Sequence, residues 1–169
     1  MSKAKKQFAA IKGMHDILPE DFKLFAGVKS IVDKYAAFYN FSPIETPVLE
    51  SLELFERSTG QATEVIQKQM FSLLTKGGDA LAVRPEGTPG IVRAYIEHGL
   101  SHAPHPLKLY YYGYMFRYEK PQAGRYRQFH QAGFEIFSNE IDPIYDVQAI
   151  LVSYRILEAV GIKNLIVQI

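Results

Sequence analysis

The chain has 169 residues, 47% of them hydrophobic and 22% charged, with a net charge of +1 and no cysteine. That length supports one domain burying roughly 70% of its unfolded surface, and the near-zero charge excludes a protein that coats a polyanion through a global field. Without cysteine there are no disulfides and no thiolate metal sites, and with no apolar run near the roughly 20 residues needed to cross a bilayer, a cytoplasmic protein with no membrane role is expected.

The start, MSKAKKQFAAIKG, is basic but lacks an apolar core of signal-peptide length, and Lys3, Lys5 and Lys6 read as a solvated terminus. From Pro19 to about Tyr39, Phe25, Val28, Ile31, Val32, Tyr35 and Phe38 recur at helical spacing behind an LPED opening. PIETPVLES reads as extended, with Pro47 at a strand edge or beside an interface. Leu52 to Ser58 predicts a short helix and STGQATEVIQ a polar loop. QMFSLLT and LAVRPEGT predict two strands joined by a Gly-Gly turn. A helix then starts around Thr88 and runs through Ile91, Ala94, Tyr95 and Ile96 to Gly99, followed by a stiff SHAPHP connector.

Leu107 to Glu140 predicts a long antiparallel hairpin, two aromatic-rich strands around a polar, basic loop. Asp142 and Pro143 supply an N-cap and first helical position for a helix through Val147, Ile150, Leu151, Tyr154 and Leu157 to a C-cap at Gly161. NLIVQI predicts a strand that stops without a partner, as in a chain cut from something longer. The pattern is that of an α+β unit over residues 1–169, an antiparallel β-sheet flanked by helices and incomplete at the C-terminus.

The hairpin carries the chemistry. Alternation with a period of two puts Arg117 and Glu119 on one face of the first strand, with Gly113 leaving that face open. In the second strand it gathers Phe129, Gln131, Gly133 and Glu135. Guanidinium, carboxylates, amide, aromatic ring and bare glycine make a pocket floor, flanked by Arg125 and Arg127. The alternative is a solvated face with ordinary charge pairs, against which stands the apolar opposite face, Tyr112, Tyr114, Phe116, Phe134 and Ile136. A second cluster is RPEGTPG, Arg84 to Gly90. If it is extended, Glu86 and Thr88 point the same way across Gly87, a receptor for an ammonium group. Taken alone, these residues read better as helix-capping groups; beside the hairpin, which otherwise lacks an anion for a cationic substrate, the balance shifts to the receptor.

Four segments together resemble the class II aminoacyl-tRNA synthetases, and the histidyl-tRNA synthetase family in particular. KGMHDILPED resembles that family's opening segment, and the helix with PIETPVLES resembles motif 1. LAVRPEGT resembles the amino-acid-binding strand, and MFRYEKPQAGRYRQFHQAGFE resembles motif 2 in its histidine-specific form. The resemblance covers essentially the whole chain. It implies ATP-dependent activation of L-histidine to histidyl-adenylate and transfer to tRNA(His), with Mg2+ accompanying the triphosphate and a homodimer formed through the region of Pro47.

It also implies roles. Glu86, Thr88 and Gln131 would bind the α-amino group, with Gly87 leaving room, and Glu135 would accept from the imidazole. Arg117 would contact the α-phosphate and the attacking carboxylate. Glu119 would approach adenine or a metal-water shell, Arg125 the terminal phosphates, and Phe129 would stack on adenine; no residue is assigned to a protein-held metal. The family's motif 3, its second histidine-specific segment and its anticodon-binding domain have no counterpart in the chain, so the chain alone is expected to bind ATP and histidine weakly and to be inactive. A non-catalytic regulatory subunit of ATP phosphoribosyltransferase, sharing the fold and sensing histidine, is the second reading, disfavoured by the surviving ATP-facing residues. A plain RNA-binding or dimerisation module ranks third, because Tyr110, Tyr112 and Tyr114 alternate onto the face opposite Arg117 and read as core. His15, His98, His102, His105 and His130 show no metal-ligand spacing.

Overall fold

The computed structural model describes residues 8–58 and 69–168. Helix α1 spans Pro19–Phe38, with Leu18 as N-cap, Pro19 at its first position and Glu20 and Asp21 in its first turn, where acids meet the positive end of the helix dipole. Strands β1 (Ser42–Pro43) and β2 (Leu49–Ser51) follow, then α2 (Leu52–Ser58). Strands β3 (Phe71–Leu74) and β4 (Ala80–Val83) form a hairpin turning at Gly78, whose φ of +96° suits glycine. Helix α3 spans Thr88–Glu97. The long strands β5 (Leu107–Phe116) and β6 (Gln128–Phe137) come next, and α4 spans Pro143–Val160. The polar loop predicted at STGQATEVIQ lies almost wholly outside the described residues.

Two three-stranded sheets result, ordered β1-β5-β6 and β2-β4-β3. All pairings are antiparallel except that of β1 with β5, so the expected α+β architecture of antiparallel strands flanked by helices is present, divided into two sheets of which one carries a parallel edge pairing. The register of the long hairpin sets Gly113 opposite Gln131, Tyr111 opposite Gly133 and Leu109 opposite Glu135. Its even-numbered face, with Tyr110, Tyr112, Ala132, Phe134 and Ile136, packs on a core of Val32 and Ala36 from α1, Phe41 just before β1, and Val152 and Ile156 from α4. On the odd-numbered face Leu109, Tyr111 and Met115 meet Ile91 of α3, and Tyr95 stacks on Phe137 at 4.1 Å.

Two expectations need correcting. Phe38, placed on the buried stripe of α1, is 78% exposed, because Val32 and Ala36 take the contact line. In α4 Val152 and Ile156 are buried while Val147, Leu151 and Leu157 stay exposed; that helix is apolar on most sides, so periodicity alone does not choose its face. Residues 164–168 form no strand, since none of them enters a ladder. The caps of α4 are as expected: the Asp142 carboxylate accepts from the Ile144 N–H at 2.9 Å, and Gly161 takes the left-handed conformation at φ +96°. No helix among the described residues is long and apolar enough to cross a membrane.

Candidate active site

The site lies where the strap between β4 and α3 crosses the far end of the long hairpin. The strap is fixed by Arg84, which is 7% exposed. Its Nε donates to the Tyr114 carbonyl at 2.9 Å and its Nη1 to the Thr46 carbonyl at 2.8 Å. Its own N–H donates to the Val48 carbonyl, and its carbonyl accepts from the Phe116 N–H. One buried guanidinium thus ties the loop after β1, the end of β4 and the end of β5 together. Arg117 completes the seam, donating from Nε to the Pro85 carbonyl at 3.1 Å.

That seam brings the two sequence clusters into one place. Arg117 and Glu86 line a cavity of about 200 Å³ with Gln69 and Pro85. On its other side Arg117 lines an open cavity of about 480 Å³ with Glu119, Gly124, Arg125, Tyr126, Phe129 and His130. Its guanidinium carbon lies 5.2 Å from the Phe129 ring centroid, so a cation and an aromatic face share one wall. Glu119 and Arg125 pair at 3.7 Å, with Arg125 largely solvated.

Deeper on the same face, the Thr88 hydroxyl donates to Glu135 Oε1 at 2.6 Å. Burial pushes the Glu135 carboxyl above its usual range; the Thr88 hydrogen bond opposes this and the nearby Glu86 carboxylate adds to it. Gln131 stands opposite Gly113, and its side-chain oxygen is buried without a hydrogen-bond partner. Glu86 and Glu135 thus concentrate carboxylate oxygens beside Thr88, and Gln131 adds an unpaired amide oxygen four residues away along the same face of β6. A buried acceptor left unpaired costs roughly 1–3 kcal/mol, which a ligand N–H would recover. The arrangement suits a small cation rich in N–H groups, next to a wider cavity suited to an anion with a flat ring.

Several expectations change. The strap is not extended, because Gly87 has helical dihedrals (φ −95°, ψ −33°) and β4 ends at Val83. The capping alternative fails as well: α3 has no side-chain cap, and the Thr88 hydroxyl is engaged by Glu135. Gly113 does not open the face to a ligand, since a Cβ there would stand 2.7 Å from Arg84 Nη2. Gly87 does not face an empty space either; its vacancy and that of Gly133 are both filled by the Tyr111 ring. Arg127 is a tether, donating to the Glu119 and Lys12 carbonyls and lying over the Tyr118 ring at 4.3 Å. Tyr110 and Tyr112 pack on the helices as expected, whereas Tyr114 is 37% exposed beside His130. His105 bonds Tyr95 and the Ala103 carbonyl, a structural role.

Sequence reasoning missed Arg84 and Tyr111. Parity alone places Tyr111 on the face of Arg117, a signal available from the start; the partners of Arg84 lie 30 and 38 residues away and have no local signature.

Comparisons with known proteins identify the family and the fold. A family model described as histidyl-tRNA synthetase matches residues 13–169. The histidine–tRNA ligase of Aquifex aeolicus is 48% identical over 160 residues, covering 95% of this chain and 40% of that protein. That of a Synechococcus species is 46% identical over 156 residues, covering 92% and 37%. Among solved structures, apo histidyl-tRNA synthetase of S. aureus superposes with a TM-score of 0.77 at 37% identity, over 93% of this chain and 36% of that one. An ATP phosphoribosyltransferase regulatory subunit/histidyl-tRNA synthetase from Bacillus halodurans gives 0.79 at 26% identity, over 97% and 40%. The chain spans about two fifths of the length of the curated relatives it matches.

Proposed function

The chain belongs to the histidyl-tRNA synthetase family, and on that premise we propose that it supplies the histidine- and ATP-binding part of a cytoplasmic histidine–tRNA ligase. The observation that carries the reading is the position of Arg117, which lines both the cavity of Glu86 and the wider cavity of Phe129 and Arg125. A group bridging an amino acid and a nucleotide must stand there.

In this reading Glu86, Thr88 and Gln131 receive the α-ammonium group of L-histidine, and Glu135 accepts the imidazole N–H. A pocket that buries such acceptors rejects amino acids unable to satisfy them, by roughly 10⁴-fold. Phe129 stacks on adenine and Arg125 meets the terminal phosphates of ATP. Glu119 faces adenine or the water shell of Mg2+, which is held mainly by phosphate oxygens and water. Arg125 is free to change partner, because an exposed ion pair such as that with Glu119 is worth at most about 1 kcal/mol.

The histidine carboxylate attacks the α-phosphorus, a P–O bond forms, and pyrophosphate leaves with the electron pair of the broken bond. No base is needed. Arg117 aligns the two reactants and neutralises charge on the phosphoryl oxygens. A hydroxyl at the 3′ end of tRNA(His) then displaces AMP from the carbonyl carbon. The chain alone is inactive in this proposal. The homodimer forms through the region of Pro47, next to the exposed Val48 and Leu49 at the edge strand β2.

The second reading is the regulatory subunit named among the structural neighbours. The acceptor cluster would serve a histidine sensor equally well, but Arg117, Glu119, Arg125 and Phe129 lining one cavity favour the ligase. Histidine-dependent ATP–pyrophosphate exchange by the full-length gene product is the expected result. Histidine binding without exchange would replace the ligase by the sensor.

A further inference from the structure

The Tyr111 side chain is 8% exposed and points into the odd-numbered face of the hairpin. Gly87 of the strap and Gly133 of β6 both face its ring, and a Cβ on either glycine would collide with the Cζ end of that ring. The next residue after Gly87 is Thr88, and Glu135 is the next residue after Gly133 on the same face of β6. These two share the 2.6 Å hydrogen bond. The ring therefore fills the gap between the strap and β6 at the point where that gap sets the Thr88–Glu135 separation. Leu109, Met115 and Ile91 hold it from behind, so it cannot swing away without opening the core.

We propose that Tyr111 is a specificity-determining positioning residue: its ring is the spacer that sets the distance between the Glu86–Thr88 strap and Glu135. The inference rests on the ligase reading and deepens it, since the spacing governs the amino-acid side of the site and not the nucleotide side. An ordinary core tyrosine would need a glycine on neither flank. Here both flanks are glycine, on two separate elements, and each adjoins a polar residue of the acceptor cluster.

The test uses pyrophosphate exchange by the full-length gene product with histidine and ATP varied separately. Tyr111→Leu fills the core but is narrower than a ring. It is expected to raise the KM for histidine about tenfold while the KM for ATP moves less than about twofold, the split that marks a change on one substrate only. Tyr111→Phe, which keeps the ring, is expected to restore most of that difference. Gly133→Ala, which pushes the ring from the other side, gives the same split and serves if the leucine variant does not fold. Equal changes in both KM values, no change in either, or a phenylalanine variant as impaired as the leucine one would overturn the proposal. Absence of exchange in the folded wild-type protein would instead remove the ligase reading on which it stands.

Discussion

At Glu135 a proposed binding role and a contribution to stability fall on one side chain. Burial holds its carboxyl above the ordinary value of 4.5, so the folded chain keeps this proton to higher pH than the unfolded chain does. A carboxyl raised in the folded state contributes most below pH 4.5, and that contribution is lost as pH rises from 4.5 through the raised value. Glu135→Gln removes the titration. Its melting temperature relative to wild type should climb between pH 4.5 and neutrality; a difference constant over that range would mean a solvated carboxylate. Because a charge-assisted hydrogen bond becomes a neutral one, the same variant should raise the KM for histidine by roughly tenfold, about 1.4 kcal/mol. Arg117→Ala should lower exchange by at least about 10²-fold, as removal of a charge-stabilising donor does, with folding intact by circular dichroism. Exchange within a few-fold of wild type would take Arg117 out of the reaction.

Elements hold these residues in place through a few joints. Arg84 joins three segments with one guanidinium, and Arg84→Met would leave the Thr46 and Tyr114 carbonyls without their side-chain donor. Loss of a buried partner of this kind costs roughly 2–4 kcal/mol. A denaturant midpoint shifted by less than 1 kcal/mol equivalent would show the carbonyls finding water instead. The joints of α4 are weaker: Asp142→Ala should cost about 1 kcal/mol, read as a drop in thermal midpoint, since only one exposed backbone N–H loses its acceptor. Gly13 is a joint of another kind. At φ +86°, with Pro121 Cγ 2.9 Å from where a Cβ would stand and its carbonyl accepting from the Arg127 N–H, it docks the amino-terminal segment on the hairpin loop.

At the scale of the whole molecule, the site is built on one face of a hairpin whose other face is sealed by α1 and α4. The strap and α3 cover only part of the working face, and the chain spans about two fifths of its curated relatives. The isolated chain is therefore expected to give no micromolar heat with either ATP or histidine in calorimetric titration. Micromolar affinity for both would show that these residues suffice for binding.

Much of this was legible in the residues alone. Cap chemistry marked both ends of α4, and the period-two alternation sorted the hairpin into a helix-packed face and a site-bearing face, because backbone pleating fixes side-chain direction locally. The segments RPEGT, FRYE and RYRQFHQAGFE pointed to the family before any coordinate did. What no local rule could supply was contact across sequence distance. The buried stripe of α4 depended on which helix it met. The three glycines of the site, Gly87, Gly113 and Gly133, turned out to be shaped by Tyr111 and Arg84, not by a ligand. The union of strap and hairpin rests on hydrogen bonds between residues 30 and 32 positions apart, and such contacts are decided by packing, which sums over the whole fold.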